Sequence, residues 1–286
     1  MDTQEAGCLR TGSTVPHAME VLSNLVEQQR GGDAQYFKHQ RARYAHTLAR
    51  IEKIQPAPCT VLDIGSHYLH QPILLRQLGY KVSGMDIELF TGAQFVKERS
   101  RMFDIPNVAV NVLENGDFLV GQENSFDLIL FTEILEHITF NPVRFWHRVF
   151  DLLSPNGIVY LSTPNSLRPA AQAKALWNGL TFGGIGLEVE QIFQTVTYGH
   201  HWKEYSASEI RKYFRLLSSD FRVETTWYSS DLATEGFKTM IKRILATIPC
   251  FRSDIEAVVR LSGKTGFSAR PPNLPMHTSA SEEITR

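Results

Sequence analysis

The chain has 286 residues, enough to bury the core of one large domain, and its 43% hydrophobic and 21% charged residues are those of an ordinary globular protein. A net charge of -1 gives no general attraction to nucleic acid or to an anionic membrane. Cys8, Cys59 and Cys250 are scattered without metal-ligand spacing, there is no basic-then-apolar leader, and no apolar run reaches the ~18 residues of a membrane span. These features exclude a disulfide framework and lead to the expectation of a cytoplasmic protein.

Residues 1–15 are polar and aperiodic and read as a loose tail before a single domain over 16–263. Helix formers fill 21–54, broken by Gly31 and Gly32, with Asp33 placed as N-cap of a second helix that runs to Ile54. A strand follows at 60–64, ending at Gly65, then a short helix at 72–78 opened by Pro72. A second strand covers 81–85 and ends at Asp86, a helix covers 92–103, and a third strand covers 108–113. Residues 126–131 are nearly all apolar, the pattern of a central strand buried on both faces. Asn141 caps a helix that starts at Pro142 and puts Phe145, Trp146, Val149, Phe150 and Leu153 at helical spacing. Pro155, Asn156 and Gly157 form a turn before a strand at 158–163.

Five strands separated by helical segments predict a doubly wound α/β fold built from parallel βαβ units, with N-terminal helices ahead of it. Right-handed crossovers then place every strand's C-terminal end on one edge, where ligands bind. Residues 167–198, with Gly183, Gly184 and Gly186, read as an insertion on that edge: a lid over substrate or a packed surface excursion. Ser206 and Glu209 match a capping box, and 221–228 and 255–261 read as two closing strands. Between them Phe237, Met240, Ile241, Ile244, Leu245 and Ile248 share a helical face, with Lys238, Lys242 and Arg243 elsewhere; core packing explains the stripe, and peripheral membrane contact is the alternative. Residues 264–286 are rich in Pro and Ser and read as a disordered tail. Ser262, Gly263, Lys264 and Thr265 do not form a phosphate loop, because its first glycine would fall on Val258.

The residues at strand ends carry the chemistry. Gly65 after Val61-Leu62-Asp63-Ile64 lets backbone approach a ligand without a Cβ in the way. Asp86, 23 residues after Asp63, can accept hydrogen bonds from both hydroxyls of an adenosyl ribose. Asp117 and Phe118 follow the third strand, where a carboxylate can meet an adenine amino group and a ring can pack on its face. Arg41 and Arg43 can reach the ligand edge from the N-terminal helix, although a solvated helix face is the expectation for them.

Over residues 55–262 this order resembles the class I S-adenosylmethionine-dependent methyltransferases, with a seven-stranded, mostly parallel sheet closed by an antiparallel hairpin. The resemblance implies a cofactor set of Asp63, Gly65, Ser66, Asp86, Ile87, Asp117, Phe118, Phe131 and Thr132. Asp63 and Gly65 would bracket the methionine part, Asp86 the ribose, Asp117 the adenine, and residues 131–133 the methyl-donating end. The family's G-x-G-x-G turn reads Gly65-Ser66-His67-Tyr68-Leu69 here, so only the first glycine survives, and this weighs against a dinucleotide.

Glu133, Glu136 and His137 share one face if their turn is helical, and two carboxylates with an imidazole can ligate a divalent cation. This motif, with the later Gly199-His200-His201, resembles the ubiquinone-biosynthesis O-methyltransferases, and the first part also resembles the small-RNA 2′-O-methyltransferases. Those resemblances imply Glu133, Glu136, His137 and His201 as ligands of Mg or Zn; without a metal, Glu136 would fix the His137 ring. His137, Glu133 and His200 are the catalytic candidates, with His137 or His200 taking the acceptor's proton. The expected reaction is O-methylation of a small molecule or glycan hydroxyl. An RNA methyltransferase finds little support in the balanced charge, and a non-catalytic cofactor-binding module is the other alternative.

Overall fold

Strand β1 (Thr60–Ile64) is buried along almost its whole length, as its Val-Leu-Asp-Ile core demands, and lies at the centre of the sheet. The computed structural model describes residues 13–181, 189–194, 196–230, 240 and 243–271. Among them are β2 (Lys81–Asp86), β3 (Asn107–Ala109), β4 (Phe126–Thr132), β5 (Leu153–Pro164), β6 (Phe221–Tyr228) and β7 (Asp254–Leu261). The order is β3-β2-β1-β4-β5-β7-β6. Pairings from β3 to β5 are parallel, and β7 runs antiparallel to both β5 and β6. The order reverses between β1 and β4, which opens a crevice at their C-terminal ends.

Helices cover both faces. On one side α1 (Val15–Gln29), α2 (Ala34–Ile54), α3 (His70–Gln77) and α5 (Gln94–Met102) bury residues such as Leu22, Leu48, Ile73 and Val96 against β1, β2 and β4. On the other, α6 (Val143–Leu152) and α9 (Ala207–Leu217) bury Phe145, Trp146, Ile210 and Phe214. Each fully buried Leu, Ile or Phe contributes roughly 1.5–3 kcal/mol. The short α4 (Glu88–Thr91), α7 (Pro169–Leu180) and α8 (Val189–Gln194) lie outside these layers. Helix α2 is tied to β7 by His46 and Arg50, whose Nε2 and Nε lie 2.8 and 3.1 Å from the Glu256 carboxylate.

Several elements differ from expectation for local reasons. Helix α1 begins at Val15, with Pro16 in its first turn, at the last residue of the stretch expected to be loose. Asp33 precedes α2 but makes no cap bond, because its carboxylate is claimed by His70 and Arg99. The expected 92–103 helix is α5, which runs from Gln94 to Met102, and a separate turn of helix, α4, precedes it at Glu88–Thr91. Strand β3 stops at Ala109 rather than at Leu113, since Asn111 turns out of the ladder to accept the Glu88 N–H at 2.8 Å. The Pro155-Asn156-Gly157 turn is a bulge inside β5: Phe126 pairs with Leu153 and Leu128 with Ile158, and Asn156 takes φ 67°. Helix α6 starts at Val143, so Pro142 rather than Asn141 holds its N-cap position, although Asn141 Oδ1 accepts the Val143 N–H at 3.1 Å; Ser206 and Glu209 form both halves of the capping box on α9.

Part of the stretch expected as a disordered tail is held against the domain: the Thr265 N–H donates to Asp220 Oδ2 at 2.8 Å and Phe267 lies against Phe150. Residues 1–12 and 272–286, the glycines at 183, 184 and 186, and Phe237, Lys238, Ile241 and Lys242 of the apolar stripe lie outside the described residues. Among those described, no helix is long and apolar enough to cross a membrane.

Candidate active site

A cavity of about 450 Å³ opens at the C-terminal ends of β1, β2 and β4. It is lined by the expected Asp63, Gly65, Ser66, Asp86, Ile87, Thr132, Glu133 and His137. Its volume lies in the range of small-molecule sites.

The turn after β1 is left-handed at three alternate positions, only one of which is glycine. Gly65, His67 and Leu69 all have left-handed backbones, with φ of 81°, 48° and 62°. His67 is held there by its N–H, which donates to Asp86 Oδ2 at 2.7 Å, and Leu69 by complete burial and an N–H bond to Ser66 O at 2.8 Å. Tertiary contacts therefore offset the roughly 1–2 kcal/mol that a side chain costs in this conformation. The His67 ring packs 4.6 Å from Tyr36 of α2 and 4.0 Å from Phe90, and burial lowers its pKa to about 3, so it is neutral. The Gly65 N–H donates to the Met85 carbonyl at 2.8 Å, and a Cβ there would run into the Ile134 side chain. Gly65→Ala should lower unfolding free energy by roughly 1–2 kcal/mol. A urea titration would show a lower midpoint at unchanged slope; an unchanged midpoint would mean the turn relaxes freely.

Asp86 accepts two backbone N–H bonds, from His67 and from Ile87, each at 2.7 Å. Burial raises its pKa, and the two donors oppose that rise. Asp63 is almost fully buried; burial first, then the charge of Asp86, pushes its pKa well up. Its Oδ1 has no hydrogen-bond partner in the protein, an acceptor left for a ligand.

Arg43 corrects the expectation of a solvated helix face. It enters the cavity from α2 and pairs with Glu133 at 3.1 Å, while Arg41 stays exposed. Glu133 has a left-handed backbone, φ 56°, and also accepts from Ser162 Oγ at 2.7 Å. Burial raises its pKa, and Arg43 opposes this.

The expected helical face of Glu133, Glu136 and His137 does not form. The left-handed Glu133 breaks the helix, and only one 3-10 turn follows, Leu135–His137. Glu136 points behind the cavity, buried, and accepts from Thr163 Oγ at 2.9 Å. Burial, then Glu133, raises its pKa well up. His137 Nδ1 lies 3.0 Å from the His200 carbonyl, and its ring meets that of His201 at 4.9 Å. Ligand atoms of Glu136, His137 and His201 lie within 4.8 Å of one another, and Glu133 is not in that group because Arg43 and Ser162 hold it elsewhere. His200 is buried outside the cavity and meets His137 through its backbone carbonyl.

Three other expected residues lie off the cavity. Asp117 is exposed, and Phe118 is buried in the core beside Phe145 at 5.8 Å, because the loop turns at Gly116 and Arg148 Nε holds the Phe118 carbonyl at 2.7 Å. Phe131 points to the opposite face of β4, between Phe145 and Trp146. The apolar wall comes instead from Val110, Leu113, Ile138 and Phe140. Tyr36, His67, Phe90 and Tyr198 were not legible as lining; the alternation in 108–113 was the one signal for Val110.

A doubly wound sheet with this crevice, an acceptor carboxylate at the end of β2 and a glycine turn after β1 defines a class I S-adenosylmethionine-dependent methyltransferase. The profile described as a methyltransferase domain matches residues 36–224, well over half of the chain, and the chain belongs to that family. No curated protein matches it significantly in sequence. Among solved structures, a protein of Pyrococcus horikoshii OT3 superimposes with TM-score 0.52 at 14% identity, covering 77% of this chain and 90% of that one. A chain of the complex between the Haloferax volcanii Trm112 methyltransferase activator and the putative methyltransferase gives 0.51 at 15% identity, covering 84% and 97%. At such identities these likenesses concern the fold.

Proposed function

We propose that the chain O-methylates a hydroxyl of a small molecule or glycan. The orientation of His137 carries this reading. A carbonyl can only accept, so the bond to His200 puts the proton on Nδ1 and leaves a lone pair on Nε2. Burial is the main cause that lowers the His137 pKa, outweighing the His200 bond, so the ring is neutral near pH 7.

The cavity fits the cofactor. Asp63, with its unpartnered Oδ1, and Gly65 and Ser66 would hold the methionyl part, Arg43 would meet its carboxylate, and Asp86 with Ile87 would hold the ribose. Val110, Leu113, Ile138 and Phe140 would take the adenine in place of Asp117 and Phe118. When bound, S-adenosylmethionine supplies a methyl group already activated on a sulfonium. The protein's residues then position the acceptor, exclude water and take the hydroxyl proton onto His137 Nε2. The free thiols of Cys59 and Cys250 support the cytoplasmic reading.

His137→Ala should keep its affinity for S-adenosylhomocysteine and lose roughly 10²- to 10⁴-fold in kcat. The wild-type rate should fall as pH drops through the lowered histidine pKa, below 6.5, because the imidazolium cannot accept a proton. That acid limb should vanish in the variant; an unchanged kcat would dismiss His137 as base. The three clustered ligand atoms favour a second reading, in which Glu136, His137 and His201 hold Mg or Zn as a Lewis acid on the acceptor. Activity that survives EDTA supports the base reading, and activity lost to EDTA and restored by the ion supports the second.

A further inference from the structure

We propose that Glu256 of β7 is a positioning residue for cofactor binding: it fixes α2 on the sheet so that Arg43 meets the carboxylate of the cofactor's amino-acid end. This positioning rests on the reading of Arg43 given above. Glu256 does not line the cavity, and its action runs through the helix. Arg43 pairs with Glu133, just after β4, at 3.1 Å. One and two turns further along α2, His46 Nε2 and Arg50 Nε lie 2.8 and 3.1 Å from the Glu256 carboxylate. Positions 43, 46 and 50 share one face of the helix.

The sheet sets its polar groups in a row beneath that face. Glu256 stands opposite Ser162 in the antiparallel β5–β7 ladder, so the two side chains point the same way. Ser162 is level with Thr132 of β4, and its Oγ donates to Glu133 Oε1 at 2.7 Å. Tyr160, two residues before Ser162 and on the same face of the strand, donates to Glu256 Oε2 at 3.0 Å. His46 also stacks on Tyr228 of β6, with ring centroids 4.0 Å apart and planes 3° from parallel. The seam therefore runs from β7 through β5 to the residue that holds Arg43.

Stability alone does not account for a carboxylate at this place. Glu256 is 2% exposed, and its strand neighbours Ile255, Ala257, Val258 and Val259 are buried and apolar. A buried ion pair adds little to stability over an apolar filling of the same space. What it adds is register: apolar side chains tolerate a slide or a rotation of the helix, and a carboxylate meeting two fixed nitrogens does not. Register matters at Arg43, because its guanidinium already faces Glu133 and must meet the ligand's carboxylate as well. Its depth in the cavity is therefore set from outside, three and seven residues along the same helix.

The test is calorimetric titration of the full chain with two ligands: S-adenosylhomocysteine, and 5′-methylthioadenosine, which keeps the adenosyl thioether and lacks the amino-acid part. Glu256→Leu should fold, because the His46 and Arg50 side chains are 36% and 28% exposed and can turn to water. It should weaken S-adenosylhomocysteine about tenfold and leave 5′-methylthioadenosine nearly unchanged. In an Arg43→Ala background the same substitution should cost nothing further. Glu256→Gln keeps an oxygen acceptor and should lose less, with the same preference between ligands; it answers the question should the leucine variant not fold. Equal weakening of both ligands, unchanged S-adenosylhomocysteine binding in Glu256→Leu, or an undiminished loss in the Arg43→Ala background would each overturn the proposal alone. Unchanged binding in Arg43→Ala itself would overturn the reading of Arg43, and the proposal with it.

Discussion

Asp86→Ala should weaken S-adenosylhomocysteine binding by two orders of magnitude or more while the protein stays folded. Each Asp86 oxygen already accepts one backbone N–H at 2.7 Å, which fixes the carboxylate plane. A carboxylate oxygen can accept a second bond, so the remaining lone pairs can meet the two ribose hydroxyls. Two charge-assisted bonds at about 1.5–3 kcal/mol each correspond to roughly 10²- to 10⁴-fold in affinity. The variant also strands the N–H of His67, whose left-handed backbone depends on that bond, so the turn itself should loosen. Asp86→Asn should show an intermediate loss, because its amide must present an N–H₂ toward one of the two donors. Calorimetric titration of wild type and both variants measures this. Wild-type affinity in Asp86→Ala would remove the ribose from this end of β2.

The largest expected effect on stability is at Asp33. Its Oδ2 accepts from His70 Nε2 at 2.6 Å and from Arg99 Nη1 at 2.7 Å, and all three side chains are essentially inaccessible to solvent. Arg99 also donates to Gln29 Oε1 at 2.7 Å and to the Tyr68 carbonyl at 2.9 Å. The cluster thus ties the end of α1, the start of α2, the first turn, α3 and α5. Asp33→Ala would leave the Arg99 guanidinium buried without its counter-charge and should cost about 3–5 kcal/mol. Burial alone would raise the Asp33 pKa, but the bonds from His70 and Arg99 hold it down to about 2. A carboxylate with a depressed folded pKa stabilises the protein above its unfolded value, near 4, and loses that contribution as pH falls toward 2. Wild type should therefore lose stability between pH 4 and 2 more steeply than Asp33→Ala, about 2–3 kcal/mol in the difference. Urea unfolding at several pH values checks both statements; a loss under about 1 kcal/mol at pH 7 would mean the ion pair contributes no more than an exposed one.

The same residue shows where sequence reading reaches its limit. Asp33 before a helix is an N-cap by position, and the helix does begin there, yet the side chain serves a contact with residues 37 and 66 positions away. His67 and Leu69 show the converse. Their identities argue against a glycine turn, but burial and the Asp86 bond impose the left-handed backbone regardless. Glu133, Glu136 and His137 were legible as a cluster, and their helical arrangement was not, because a single left-handed residue reorients everything after it.

By itself the sequence determined the strand and helix order, the doubly wound class, the edge on which ligands bind and the carboxylates at the ends of β1 and β2. These follow from periodicity, turn residues and chirality, which act over a few positions. Only the tertiary structure decided that Arg43 and Tyr36 of α2 reach the cavity, that Phe118 and Phe131 turn into the core, and that the His200 carbonyl engages Nδ1 of His137. Those outcomes depend on packing between segments far apart in the chain, where the side chain that fills a space is chosen by its neighbours across the sheet and not by its neighbours in sequence.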